Sequence, residues 1–350
     1  TQSDFDSGTD KFQAESSTSG TLQISNNTPN TGTGEDGSIT VSVNPTYIDT
    51  QAIASGRVYA DGVNYAVSAI GTNTITTASA PNGIKDGDEI IVINLQGDTG
   101  TGDTNVGNYE FLIVDTIDGN VLTFTSNVSK TYGESSNSDL SGQTIRIQRV
   151  PQYTNVTVVS GGALLPNPWD GTSGGLVVFR ATGTVDVQGG GYIWASGYGY
   201  RGGADSTVPN GGNQGESTSG TGSTNVGTPN PDGAGGGGAA TSANNGCQGG
   251  GGASYATAGT RGTVTGTNCA NATNESTTII GSETLDKLYF GSGGGSGGTG
   301  YSGGWNDPGE QGGNGGGIIY ISANNINVED GVSSDGTISA AGTAGGNVPN

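Results

Sequence analysis

The sequence predicts an all-β protein: an N-terminal arm, a β-sandwich or barrel-like domain, and then a glycine-rich β-sandwich or β-solenoid-like domain. Apolar residues occur in short runs or strict alternation, separated by Gly, Asn and Asp, which is typical of strands and turns. The best helical candidate, residues 283–289, is too short to define a helical domain. Glycine accounts for 70 of the 350 residues. Most of it lies in one tract between two copies of the same strand pattern.

The two copies cover residues 174–197 and 316–342. In each, a longer strand pattern is followed by two shorter ones that end near Ala or Gly, as in stacked coils of a β-solenoid or a layered sandwich. Alternate residues of a strand share one face. The equivalent faces hold Val177, Phe179 and Ala181 in the first copy and Ile319, Ile321 and Ala323 in the second.

Three regions follow one another along the chain. Residues 1–50 are predicted to form the arm and two strands, at 21–25 and 38–43. Residues 51–165 are predicted to form the β-sandwich-like domain, and Asp118-Gly-Asn120 within them is a hairpin signal. Residues 166–350 are predicted to form the glycine-rich domain. The strands expected in the middle region are residues 89–95, 109–114, 121–125, 144–148 and 154–159.

The glycine tract allows three interpretations. A flexible linker is disfavoured because aromatic residues are spread through the tract. Collagen is excluded because the tract has no strict Gly-X-Y period. Close-packed extended glycine backbone, as polyglycine-type helices or tight loops, fits the runs of consecutive glycines best.

The two cysteines, Cys247 and Cys269, both lie in this tract. We expect them to form one disulfide, which is worth roughly 3 kcal/mol in the chain-entropy model. The chain has no His, so neither a zinc site nor an activated catalytic thiol is expected from these cysteines.

Calcium is the one cofactor that the sequence suggests. Asp98, Asp103 and Asn105 follow one another in a glycine-rich loop and could offer oxygen ligands. The alternative is that these residues only form turns, since Asp and Asn favour turns and no EF-hand spacing is present.

The charge balance excludes several partners. The formal net charge is −21, with only 10 Lys and Arg residues. Phosphate repulsion argues against nucleic acid, and no apolar run reaches the ~20 residues that a membrane span needs. The absence of Met, even at position 1, suggests an exported chain whose leader is removed, and hence an extracellular or cell-surface location.

Catalysis is not expected. Without His, the Ser-His-Asp and Cys-His arrangements are impossible. Paired carboxylates of a glycoside hydrolase are the remaining option, with Asp170, Asp186, Glu216 and Glu310 near aromatic residues. Nothing in the sequence sets the distances between them, so the sequence predicts a protein that is not an enzyme.

Residues 150–156, 169–175, 287–295 and 316–321 resemble, in that order, segments of a largely uncharacterised group of glycine-rich prokaryotic cell-surface proteins. The likeness covers residues 85–345 and implies an exported surface role without catalytic residues to carry over. The composition is also similar to that of phage tail-tip adhesins with polyglycine-helix domains. The first 50 residues lie outside both resemblances.

The function predicted first is a structural subunit of an extracellular filament or surface assembly. It would polymerise with copies of itself when the N-terminal arm, with Phe5 and Phe12, adds a strand to a neighbouring subunit. The alternative is an adhesin that binds cell-surface glycans or a receptor, on a cell surface or a phage tail tip. Its contact surface would use Tyr198, Tyr200, Trp194 and Trp305. A polysaccharide-degrading enzyme is the second alternative.

Overall fold

A computed structural model of the chain provides the architecture. The residues that it describes are 30–98, 102–206, 211–224, 226–229, 233–238, 249–263, 273–281, 284–298, 300–302, 305–307, 309–330 and 334–346. All regular elements within these residues are strands, which confirms the predicted all-β class. None of the described residues forms a helix that is long and apolar enough to cross a bilayer.

The described residues form sixteen strands. In chain order they are β1 (Gly37–Val41), β2 (Thr46–Tyr47), β3 (Asn64–Ile70), β4 (Thr74–Thr77), β5 (Glu89–Gln96), β6 (Tyr109–Asp118), β7 (Val121–Phe124), β8 (Thr144–Arg149), β9 (Gln152–Val158), β10 (Ala163–Leu165), β11 (Leu176–Val187), β12 (Tyr192–Trp194), β13 (Gly300–Ser302), β14 (Trp305–Asp307), β15 (Ile318–Val328) and β16 (Thr337–Ser339).

Eight of the strands form a β-solenoid of two parallel sheets. One sheet has the order β1-β9-β11-β15 and the other β2-β10-β12-β16, so each coil gives one long and one short strand. β11 and β15, which contain the two copies of the strand pattern, pair in parallel from Leu176 opposite Ile318 to Val187 opposite Val328. The solenoid alternative of the predicted fold therefore describes this part of the chain.

A closed antiparallel barrel is inserted between β2 and β9. Its strand order is β3-β4-β7-β6-β5-β8, and the β6–β7 hairpin turns where the Asp118-Gly-Asn120 signal predicted it. β9 and β10 follow the barrel, but they pair within the solenoid sheets rather than with barrel strands.

Two apolar interiors meet at β5. Ile90 and Val92 face the barrel core, whereas Ile91 and Ile93 face a second cluster that contains Trp169 and aromatic residues of the glycine tract. Every residue of β5 is buried. A strand that is covered on both faces needs a continuous apolar run, which explains why this segment does not alternate.

Buried ion pairs join the barrel to the solenoid. Arg180 of β11 holds Glu89 of β5 through both carboxylate oxygens, with Nη2 to Oε1 at 2.8 Å. Arg149 of β8 is fully buried, with Nη2 2.9 Å from Asp36 Oδ1 and Nε 3.1 Å from Asp88 Oδ2. Burial opposes the charge on Arg149, but these carboxylates outweigh it, so the pKa of the guanidinium is raised. Loss of one partner would leave a buried charge uncompensated.

Candidate functional site

The glycine tract is a bundle of extended segments whose backbones hydrogen-bond to one another. Residues 291–297 lie in its middle. The amides of Gly291, Gly294 and Gly297 all donate to the single neighbouring segment 310–316. Their acceptors are the carbonyls of Gly316, Gly313 and Glu310, in that order. A donor every third residue toward one neighbour is what a helix with three residues per turn produces.

The intervening amides of the same segment point to other neighbours. The Gly293 amide donates to the backbone carbonyl of Glu216, and the Ser296 amide donates to the backbone carbonyl of Asn213. Both acceptors lie on one adjacent segment. Gly295 donates to Gly251 on another. The hydrogen bonds therefore fan out in three directions, as in a lattice of polyglycine-type helices.

Only glycine fits at most contacts of this bundle. A Cβ built on Gly250 would collide with the carbonyl of Gly295, and one on Gly295 would collide with the carbonyl of Gly236. By contrast, a Cβ on Gly294 would meet its nearest atom, the Gly251 carbonyl oxygen, at 3.5 Å. The described part of the tract is therefore close-packed glycine backbone, and a flexible linker is the wrong interpretation of it.

A cleft of about 1110 Å³ opens between the bundle and the last solenoid coil. Glycine backbone forms much of its wall, and residues 249–252 and 260–263 form one side as a paired loop, with Gly252 donating to the Thr260 carbonyl. The side chains that give the cleft its chemistry are Tyr255, Arg261, Leu288, Tyr289, Glu310 and Asn314.

Tyr255 presents an aromatic ring at this cleft. Its ring lies against Gly281, where an added Cβ would come within 3.0 Å of Tyr255 Cε1, and its carbonyl accepts from the Gly281 amide at 3.1 Å. The residue is nevertheless 42% exposed. A ring fixed on one side and open on the other can stack on an apolar face of a ligand.

Arg261 and Tyr289 are two further polar side chains of the cleft. Arg261 donates from Nε and Nη2 to the two carboxylate oxygens of Glu275, each at 2.9 Å, and this pairing lowers the pKa of Glu275. Burial, with smaller effects of Asp286 and Asp103, raises the pKa of Tyr289 to about 12. The Tyr289 phenol therefore keeps its proton at neutral pH and can act as a hydrogen-bond donor.

One predicted contact residue is corrected by the structure. Tyr200 is fully buried against Trp169 and Phe290, and its hydroxyl donates to the Leu95 carbonyl. It cannot contribute to an exposed adhesive surface, because its ring and its hydroxyl are both used within the core.

Two other predicted contact residues, Trp194 and Tyr198, do not line the cleft. Both are half-buried, and Trp194 packs edge-to-face on Tyr192. Trp305 lies in β14. Phe5, Phe12 and the cysteines Cys247 and Cys269 lie outside the described residues.

The predicted calcium loop remains a prediction. The Asn105 side-chain amide donates to the carbonyls of Gly133 and Glu134, and its oxygen accepts from Asn108. Among the described residues, no three His, Cys, Asp or Glu side chains are grouped as a metal site. Asp98 and Asp103 flank residues 99–101, which lie outside the described set.

Of the four carboxylates considered for glycoside hydrolysis, only Glu310 lines the cleft. Glu216 is buried and holds Arg201, with Nη2 to Oε1 at 2.7 Å. Asp170 caps its own turn, and Asp186 accepts from Asn327. No local pattern in the sequence marks Tyr255 or Arg261, because only the folding of the bundle brings them to one cleft.

No protein-family model and no curated protein matches the chain. Solved structures to which it is similar include three phage tailspikes. They are gp49 of Pseudomonas phage LKA1 (20% identity, TM-score 0.19), Gp54 of Acinetobacter baumannii bacteriophage AP22 in complex with A. baumannii capsular saccharide (17%, 0.20), and gp61 of Pseudomonas phage phi297 (18%, 0.18). The matches cover 36%, 37% and 29% of this chain and 18%, 21% and 17% of those chains. The chain thus spans about a fifth of the length of the tailspikes that it matches.

The prediction that the chain is not an enzyme is contradicted by these matches and is withdrawn. All three are tailspikes, and one was solved with a saccharide bound. The matches agree with the resemblance to phage tail adhesins. They do not support the filament subunit that the sequence predicted first.

Proposed function

We propose that the chain is a surface adhesin, extracellular or on a phage particle, that binds glycans in the cleft of its glycine-rich bundle. The observation that carries the proposal is the cleft itself, which is lined by the exposed ring of Tyr255 and by Arg261, held by Glu275. A sugar ring offers an apolar face, on which the Tyr255 ring can stack, and hydroxyls, to which the polar groups of the cleft can hydrogen-bond.

The size of the cleft supports the same conclusion. A volume of about 1110 Å³ exceeds the upper end of common ligand pockets, so it can hold several sugar units. Its wall is largely rigid glycine backbone, which reduces the entropy lost on binding.

The negative charge of the chain favours neutral glycans over acidic ones as ligands. With a net charge of −21, the protein repels polyanions at long range, and Arg261, the arginine among the described residues of the cleft, is already paired. We therefore assign neutral glycans, rather than uronate-rich or sulfated ones, as the ligands.

The test is a calorimetric titration with neutral oligosaccharides selected on a glycan array that also carries acidic ones. Tyr255→Ala is expected to weaken binding by about 10-fold, or roughly 1.4 kcal/mol, through loss of stacking. Tyr59→Ala is the matched control, because Tyr59 is 47% exposed but lies outside the cleft. Equal affinities of the two variants, or an array bound only at acidic glycans, would contradict the proposal.

A further inference from the structure

The two ends of the solenoid core are closed differently. At the β1 end, residues that follow β2 cover the core, with Ile48 fully buried and Ala54 4% exposed. At the β15 end, Ile326 is 49% and Val328 44% exposed. Their register partners one coil earlier, Val185 and Val187, are fully buried. Among the described residues, Ile326 and Val328 of the last coil are therefore left without the cover that their partners in the preceding coil have.

The exposed end presents apolar side chains and also backbone groups that can form hydrogen bonds. β15 is an edge strand of the described sheet, so it offers backbone groups to a further strand. Several apolar side chains of the last coil are only partly buried: Ile319, Ile321 and Ala323 of β15 and Ile338 of β16. Terminal repeats of solenoids normally carry a cap for this reason.

The chain enters the described structure at this same end. The Asn30 carbonyl accepts from Ser322 Oγ of β15 at 2.8 Å and from Arg180 Nη1 of β11 at 2.6 Å. The following residues cross the sheet toward β1, with the Thr33 amide donating to Gln152 Oε1 of β9. Asn30, at which the described structure begins, therefore lies beside the exposed edge strand β15.

Those residues have the sequence of a strand and a turn. Residues 21–25, Thr-Leu-Gln-Ile-Ser, alternate apolar and polar side chains. Residues 26–29, Asn-Asn-Thr-Pro, favour a turn. As a strand, residues 21–25 cover about 17 Å, which is most of the roughly 20 Å from Ser322 to the end of β15.

We propose that residues 21–25 dock as an added strand along β15 of the same chain, with Leu22 and Ile24 covering Ile326 and Val328. The two strands would run antiparallel, because the turn at 26–29 leads back along β15 from Ser322. The same chain is the favoured source, since attachment at Asn30 gives the segment a high effective concentration at its own edge. This inference is independent of glycan binding.

The test compares two double variants of the segment by hydrogen exchange. Leu22→Asp with Ile24→Asp places charges on the face assigned to the core. Gln23→Asp with Ser25→Asp adds the same charges on the opposite face and is the matched control. The first variant is expected to speed amide exchange in residues 318–328 by at least about 10-fold, and the control to leave it at the parent rate.

Two results would overturn the proposal. One is equal exchange of β15 in both variants and in the parent. The other is a parent protein that sediments as a dimer or polymer and becomes monomeric only in the Leu22/Ile24 variant, because the segment would then pair with another copy. Unchanged exchange in the barrel strands shows that each variant is folded.

Discussion

At the scale of single residues, the glycines of the bundle act through the atoms that they lack. Gly295 lets its own amide reach Gly251 while the carbonyl of Gly236 approaches its Cα. The conformational entropy that glycine loses on folding is offset by these lateral hydrogen bonds and by the buried aromatic residues beside them. Tyr200 and Phe290, whose rings lie 5.4 Å apart, anchor the bundle to the apolar core.

Two adjacent glycines provide a matched comparison. Gly295→Ala is expected to lower the free energy of unfolding by about 1–3 kcal/mol, because its Cβ collides with the backbone of Gly236. Gly294→Ala is expected to change it by less than about 1 kcal/mol, since its Cβ would make an ordinary contact. Chemical denaturation followed by tyrosine and tryptophan fluorescence measures both. Equal destabilisation by the two variants would contradict the packed bundle.

At the scale of elements, the sequence predicted those strands whose pattern is local. The repeated strand pattern identified β11 and β15, and the Asp-Gly-Asn turn identified the β6–β7 hairpin. β3 and β4 were not predicted, because neither shows a run of large apolar residues. Their apolar residues, among them the fully buried Ile75 of β4, face the barrel core singly rather than in a run. Closure of the barrel also depends on the pairing of β3 with β8, which are distant in sequence.

The candidate site was less predictable than the strands. Tyr200 was expected at the surface because it lies among glycines, and no local feature shows that Trp169 and Phe290 enclose it. Tyr255 and Arg261 are separated in the chain from Tyr289, so the sequence could not place them at one cleft. The composition did indicate how the scaffold is built, since only close packing explains glycine runs interspersed with aromatic residues.

At the scale of the whole molecule, the chain is a solenoid with two insertions. The barrel interrupts it between β2 and β9, and the glycine bundle interrupts it between β12 and β15. The coils on each side of an insertion still pair in register, and the pairs Arg180–Glu89 and Arg149–Asp36 fix the barrel on the solenoid. The cleft is therefore carried by a scaffold in which buried ion pairs join the barrel to the solenoid.

Buried tyrosines make this scaffold sensitive to alkaline pH. Burial raises the pKa of Tyr132, Tyr153 and Tyr200 above the usual value of about 10. Below pH ~10 both the folded and the unfolded chain keep these protons, so these tyrosines do not lower the free energy of unfolding. Above it, the unfolded chain ionises while the folded chain does not, so stability falls by about 1.4 kcal/mol per pH unit for each such tyrosine.

Urea midpoints between pH 8 and 11.5 test this expectation. Tyr200→Phe loses the hydrogen bond to Leu95, which costs about 1 kcal/mol at neutral pH, but its stability is expected to fall less steeply above pH 10. An identical slope for the parent and the variant would show that Tyr200 does not stay protonated in the folded state.

The described glycine tract is a folded, hydrogen-bonded bundle that carries the cleft. Native-state hydrogen exchange of residues 291–297, with β11 as the internal reference, tests this structure. We expect the amides of Gly293, Gly294 and Gly295 to exchange as slowly as those of β11, because each is bonded to a neighbouring segment. Exchange at the rate of an unstructured peptide would contradict the bundle, and with it the cleft and the proposed glycan site.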